Sequence, residues 1–218
     1  MTAEALVKQR KPEVFDYDLT PSRLEHYLTK PYIAVDTETR GLQIRRDRLC
    51  LIQICDEEGI VSFVRYPDRH KISTADHSNV KKLFEAPNVL KLFHFGRFDL
   101  AVMKHYLGID VQPIYCTKIA SKLVRTYTDK HGLKDLVKEL LGIEIDKTEQ
   151  TSDWARTDLS DTQLDYAAND VRVLIPIYKK LQLMLEREGR QDLAERLFKA
   201  LPAVCELDLG GWKDIFEH

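Results

Sequence analysis

Apolar residues fall into short runs in the first half of the chain and into helical spacing in the second. YIAVD (Tyr32 to Asp36) is apolar on both sides and predicts a central strand. LCLIQICD (Leu49 to Asp56) and IVSFVRY (Ile60 to Tyr66) predict two more strands. The turn EEG between them puts Gly59 where a positive φ is needed. NVLKLFHF (Asn88 to Phe95) and QPIYC (Gln112 to Cys116) read as the fourth and fifth strands. LTPSRLEHYL reads as a helix start, with Thr20 as N-cap and Pro21 at the first helical position. A short helix is expected near Asn79 to Phe84, and another over Phe98 to Gly108, stopped by its glycine. After the fifth strand TKIASKLV, GLKDLVKELLG and one long segment from about Ser160 to Glu188 are helical in spacing. The order predicts an α/β fold with a mixed five-stranded sheet flanked by helices. One domain over residues 1–218 is expected, with about 1–15 and 201–218 peripheral. The terminal ELDLGGWKDIF carries apolar residues that are expected to dock on this domain or on a neighbouring subunit.

Composition narrows the class. Of 218 residues 44% are hydrophobic and 31% charged, ordinary for a globular protein rather than a disordered one. No apolar run approaches a membrane span, and the polar N-terminus has no signal-peptide core, so the expected location is the cytoplasm. Cys50, Cys55, Cys116 and Cys205 lack metal-site spacing and read as buried, reduced thiols. A net charge of −2 argues against coating a long nucleic acid. Contact with a polyanion would have to be local, through few phosphates.

The chemistry starts at YIAVDTET. Asp36 and Glu38 are two apart on a strand and project from the same face. Such a pair repels itself unless a cation lies between, and oxygen-only ligands favour Mg²⁺ or Mn²⁺. A turn with two solvated acids is the plain alternative. Asp99 begins an apolar-periodic helix, where dipole capping alone would account for it. Tyr166 and Asp170 are four apart on a helix face whose neighbours Leu164, Ala167, Val171 and Leu174 are apolar. A hydrogen bond between the two would by itself explain that spacing.

Jointly, DTET, HFGRFD and YAAND resemble the three motifs of the DEDD superfamily of 3′–5′ exonucleases, in its tyrosine-containing subclass. DTETRGL, RDRLCLIQI, FHFGRFDLAVM, CTKIASKLVRTYTDKHGLK and SDWA extend the resemblance to the nanoRNase C family, bacterial relatives of ribonuclease D. It runs from about Tyr32 onward and implies a ribonuclease H-like exonuclease fold. It implies two divalent cations, Mg²⁺ or Mn²⁺, held by Asp36, Glu38, Asp99 and Asp170, with Tyr166 orienting the attacking water. An unperturbed phenol is a poor base at neutral pH, so orientation is favoured over proton abstraction. The resemblance also implies a short RNA substrate and a homo-oligomer, a ring-shaped octamer. Ribonuclease D carries extra C-terminal helical domains, and a sequence ending at His218 is expected to leave no room for them.

Substrate contacts are less sharply indicated. Thr37 sits between the first two acids, and Leu42 matches a leucine that wedges between two bases in the family. Lys118, Lys122 and Arg125 are spaced as one basic stripe, which reads either as a solvated helix face or as a phosphate contact. The following RTYTDKHG adds Tyr127, Lys130 and His131 as candidates for a 5′ phosphate. His94 reads first as a structural histidine and second as a substrate contact, and Trp154 as a packing anchor. Three functions compete: a nuclease for dinucleotides and very short RNA, a ribonuclease D-like exonuclease trimming longer RNA or DNA, and an inactive fold used for interaction. Retention of all four acids and the tyrosine counts against the third.

Overall fold

A computed structural model describes residues 11–145, 152–212 and 215. Among the described residues six strands form one mixed sheet: β1 (Glu13–Asp16), β2 (Tyr32–Thr39), β3 (Leu49–Cys55), β4 (Val61–Arg65), β5 (Leu90–Phe93) and β6 (Ile114–Cys116). Their spatial order is β1-β4-β3-β2-β5-β6. The β2–β3 and β3–β4 pairs are antiparallel, and β1–β4, β2–β5 and β5–β6 are parallel. The helices are α1 (Pro21–Leu28), α2 (Ser78–Phe84), α3 (Arg97–Leu107), α4 (Thr117–Val124), the short α5 (Leu133–Leu136) running into a π turn, α6 (Asp161–Arg172), α7 (Leu174–Arg187) and α8 (Gln191–Gly210).

The predicted punctuation holds where it is local. Thr20 accepts the Arg23 N–H, Pro21 starts α1, Gly59 takes φ +76°, and Gly108 closes α3 in the left-handed region. Every residue of β3 is buried, as expected for a central strand covered on both faces. All four cysteines are free and buried.

Three expectations need correction. The sheet has six strands, not five, because β1 pairs parallel along the outer edge of β4, Glu13 opposite Ser62 to Asp16 opposite Arg65. Only long-range pairing makes this strand: it is four residues, and Val14 is 42% exposed. The segment from Ser160 to Glu188 is two helices broken at Val173. Pro176 lacks the N–H that would bond the carbonyl of Arg172, so it is placed in the first turn of a new helix. Finally, much of 201–218 is not peripheral. Helix α8 runs to Gly210, buries Phe198, Leu201 and Cys205, and ties Asp208 to Arg97 through two hydrogen bonds of 2.6 Å. Trp212 and Ile215 beyond it are exposed on this chain.

One core residue has no apolar logic. Lys91 on β5 is fully buried, and its Nζ donates to the carbonyls of Ala86 and Gln112. Burial pulls its ammonium down to about 7.

Candidate active site

The site forms where β2 ends. The β2–β3 register runs regularly to Glu38 opposite Leu51 and shifts between Glu38 and Thr39, which ends regular pairing beyond the acids. Asp36 and Glu38 share a face, and α6 lies across it. A capping box fixes the start of α6: Ser160 accepts the Gln163 N–H, and the Gln163 side chain accepts the Ser160 N–H. From that start Tyr166 and Asp170 fall one turn apart, facing β2. Carboxylate oxygens of Asp36, Glu38 and Asp170 lie within 4.8 Å of one another.

Asp99 approaches separately, in the first turn of α3, and is 3% exposed. The Thr37 hydroxyl, from between the two β2 acids, donates to Asp99 Oδ1 at 2.6 Å. Thr37 is itself buried, so its side chain orients an acid.

Four carboxyls this close cannot all ionise cheaply. Burial first, then the charges of Asp99, Glu38 and Asp170, raise Asp36 well above the usual carboxylate range. Burial and the charges of Asp170 and Asp99 do the same to Glu38. Asp99 is pushed up to about 7 by burial, against the Thr37 hydrogen bond. A divalent cation would reverse that balance, and the donors are all oxygen, so the residues fit such an ion.

Tyr166 is half-buried, with its ring tilted against Trp154 at 6.1 Å between centroids. Burial, the charge of Asp170 and a hydrogen bond with Asp170 raise its phenol above the ordinary tyrosine range. The hydroxyl therefore stays protonated at neutral pH. Trp154 is buried as the expected packing anchor.

The remaining candidates divide. Leu42 is 85% exposed in the loop after β2. Asp47 closes that loop by accepting the Gln43 N–H at 3.0 Å, and a Cβ on Gly41 would meet its carboxylate at 2.4 Å, so a side chain there would have to displace it. His94 is half-buried, with Nδ1 2.9 Å from Thr117 Oγ1. The Thr117 hydroxyl donates to Phe93 O, so His94 Nδ1 is the donor of that pair.

The basic stripe does not hold together. Arg125 is fully buried, unlike exposed Lys122 and half-exposed Lys118. Its guanidinium donates to Ser121 Oγ, to Lys130 O and, as a fork, to both oxygens of Glu139. It braces the loop from 125 to 131 rather than facing solvent. Around it Tyr127 is 69% exposed and donates to Glu139, Lys130 is exposed, and His131 Nδ1 lies 2.9 Å from Ser121 Oγ. Burial and the Arg125 charge lower His131 below its ordinary range.

Nothing in the local pattern announces Phe95. It sits beside His94 with φ +64°, is 47% exposed, and carries the Lys118 ammonium 4.1 Å from its ring centroid. A positive φ on phenylalanine has no sequence signature. A second ligand-like group, His26, Asp56 and Glu58, is differently engaged. Asp56 accepts the Glu58 and Ile60 N–H groups of the β3–β4 turn and pairs with His26, and Glu58 pairs with Lys30.

Residues 13–186 match the family model described as 3′–5′ exonuclease. Ribonuclease D of Gluconacetobacter diazotrophicus is 32% identical over 169 residues, which are 78% of this chain and 42% of that protein. The chain thus spans about two fifths of the length of such curated relatives. Among solved structures, Brucella melitensis NrnC bound to pGG is 45% identical with a TM-score of 0.88, covering 96% of this chain and all of the other. The same protein with bound Mg²⁺ is 44% identical with a TM-score of 0.87 and the same coverage.

Proposed function

The chain belongs to the 3′–5′ exonuclease family, and from that premise we propose that it hydrolyses dinucleotides and very short RNAs to nucleoside 5′-monophosphates. The observation that carries this reading is the match, over the whole of the other chain, to a nuclease solved with the dinucleotide pGG. The ribonuclease D relatives match over less than half their length and favour a second reading, an exonuclease that trims longer RNA or DNA ends.

In the first reading Asp36, Glu38, Asp99 and Asp170 hold two divalent cations, Mg²⁺ or Mn²⁺. Such ions, when bound, neutralise charge on the phosphate and activate water. The side chains do the rest. Thr37 fixes the Asp99 carboxylate. Tyr166, kept protonated and tied to Asp170, orients the water whose oxygen bonds to phosphorus as the bond to the 3′ oxygen breaks. Leu42, exposed in the loop that follows the two β2 acids, separates the two bases of the substrate. His94, Tyr127, Lys130 and His131 are proposed as its phosphate and base contacts, with Arg125 bracing the last three. The enzyme is proposed to act in the cytoplasm as a homo-oligomer, a ring-shaped octamer. Exposed Trp212 and Ile215 are apolar surface available for such contacts.

The test is a time course on 5′-labelled RNAs of graded length, from the dimer upward, with Mg²⁺ and with Mn²⁺. Rapid conversion of dimers to monomers with slow decay of long chains supports the first reading. Even shortening of long chains supports the second.

A further inference from the structure

We infer that Gln53 is a positioning residue for Asp36, its amide donating to that carboxylate when the site holds a cation. The inference rests on the cation-site reading above. In the antiparallel register Gln53 lies directly opposite Asp36, so the two side chains leave the same face of the sheet. Such pairs stand about 4.5–5.5 Å apart at Cβ, within reach of a glutamine amide. Gln53 is fully buried, and among the described residues neither Oε1 nor Nε2 has a hydrogen-bond partner. A buried, unbonded amide destabilises a fold, and leucine or methionine would fill the volume without that cost. Every other residue of β3 is apolar or a cysteine. The one amide-bearing residue of the strand stands opposite Asp36.

The surroundings narrow what that amide serves. Phe63, its partner on β4, and Leu51 and Cys55, its neighbours on the same face, offer no side-chain oxygen. Ala167 and Val171 of the overlying α6 are buried and apolar. The Thr37 hydroxyl, a buried donor next to Asp36 in the chain, is committed to Asp99, which leaves the Thr37 backbone N–H as the donor Asp36 already has. A carboxylate that binds a cation keeps lone pairs that need donors, and such outer hydrogen bonds tune metal affinity.

The experiment uses Gln53→Leu and Gln53→Met in the full chain, with two readouts. One is calorimetric titration with Mn²⁺ alone. The other is thermal unfolding in chelator. Mn²⁺ affinity is expected to fall about 10–100-fold, while the metal-free unfolding midpoint stays level or rises. Affinity within about twofold of wild type in both variants overturns the inference. So does a loss of affinity that merely follows a lowered metal-free midpoint. Asp170→Ala, run alongside, separates the two levels of the argument. If it loses Mn²⁺ while the Gln53 variants keep it, only the role of Gln53 falls. If it binds Mn²⁺ as wild type does, the cation site itself falls, and this inference with it.

Discussion

Replacing Asp99 with asparagine probes the electrostatics of the site with no cation or substrate present. The amide side chain keeps an oxygen for the Thr37 hydroxyl and nearly the same shape, but it cannot ionise. A rise from the ordinary 3.8 to about 7 corresponds to about 4 kcal/mol at about 1.4 kcal/mol per tenfold change. The sign follows from proton counting. Between pH 4 and pH 7 the folded state holds a proton that the unfolded state has released, so wild-type stability falls as pH rises across that window. Asp36 and Glu38, also raised, push the same way. Asp99→Asn therefore matches wild type near pH 4 and becomes the more stable protein above pH 7, by up to about 4 kcal/mol. For a chain of this size that is a midpoint about 8–16 °C higher. The assay is thermal unfolding of both proteins in chelator from pH 4 to pH 8.5. A difference that stays flat with pH, or a variant less stable at pH 8, refutes the reasoning.

Two further substitutions separate roles near the site. Tyr166→Phe should lose about 10²–10⁴ in rate with cation affinity intact by calorimetry if, as proposed, the phenol orients water and the carboxylates hold the ion; an unchanged rate would make the pairing with Asp170 purely structural. Arg125→Ala should cost about 1–3 kcal/mol in urea unfolding, since it empties a fully buried fork on Glu139 and Lys130; unchanged stability with a raised KM for 5′-phosphorylated RNA would instead put the guanidinium on the phosphate.

What the sequence made legible was what local chemistry decides. Strand β2 ends in two same-face acids because the period of a strand is two, and Tyr166 and Asp170 align because a helix returns every four residues. Thr20, Gly59 and Gly108 act within their own turns. What was missed depends on partners far along the chain. Strand β1 exists through pairing with β4, about fifty residues away. Arg125 looked like part of an exposed stripe because helical spacing carries no record of Glu139 and Lys130 folding over it. Gln53 hid in an apolar strand, where only the register shows that Asp36 stands opposite. The break at Val173 was readable, since Pro176 stands in the sequence, but an unbroken apolar period on both sides masked it.

The central claim is that this site is built for two nucleotides. A chain of net charge −2 gains little from long polyanions, so its affinity must come from a few contacts beside the acids. A third nucleotide would displace contacts to the 5′ phosphate, charge-assisted hydrogen bonds worth about 1.5–3 kcal/mol each. Loss of two of them amounts to about a hundred-fold or more at 1.4 kcal/mol per decade. The decisive measurement is kcat/KM for an RNA dimer and for a twenty-mer, each with and without a 5′ phosphate. The account predicts that the 5′-phosphorylated dimer is preferred by about a hundred-fold, and that removing the phosphate erases most of the gap. Equal efficiency on both lengths, with no effect of the 5′ phosphate, would contradict it.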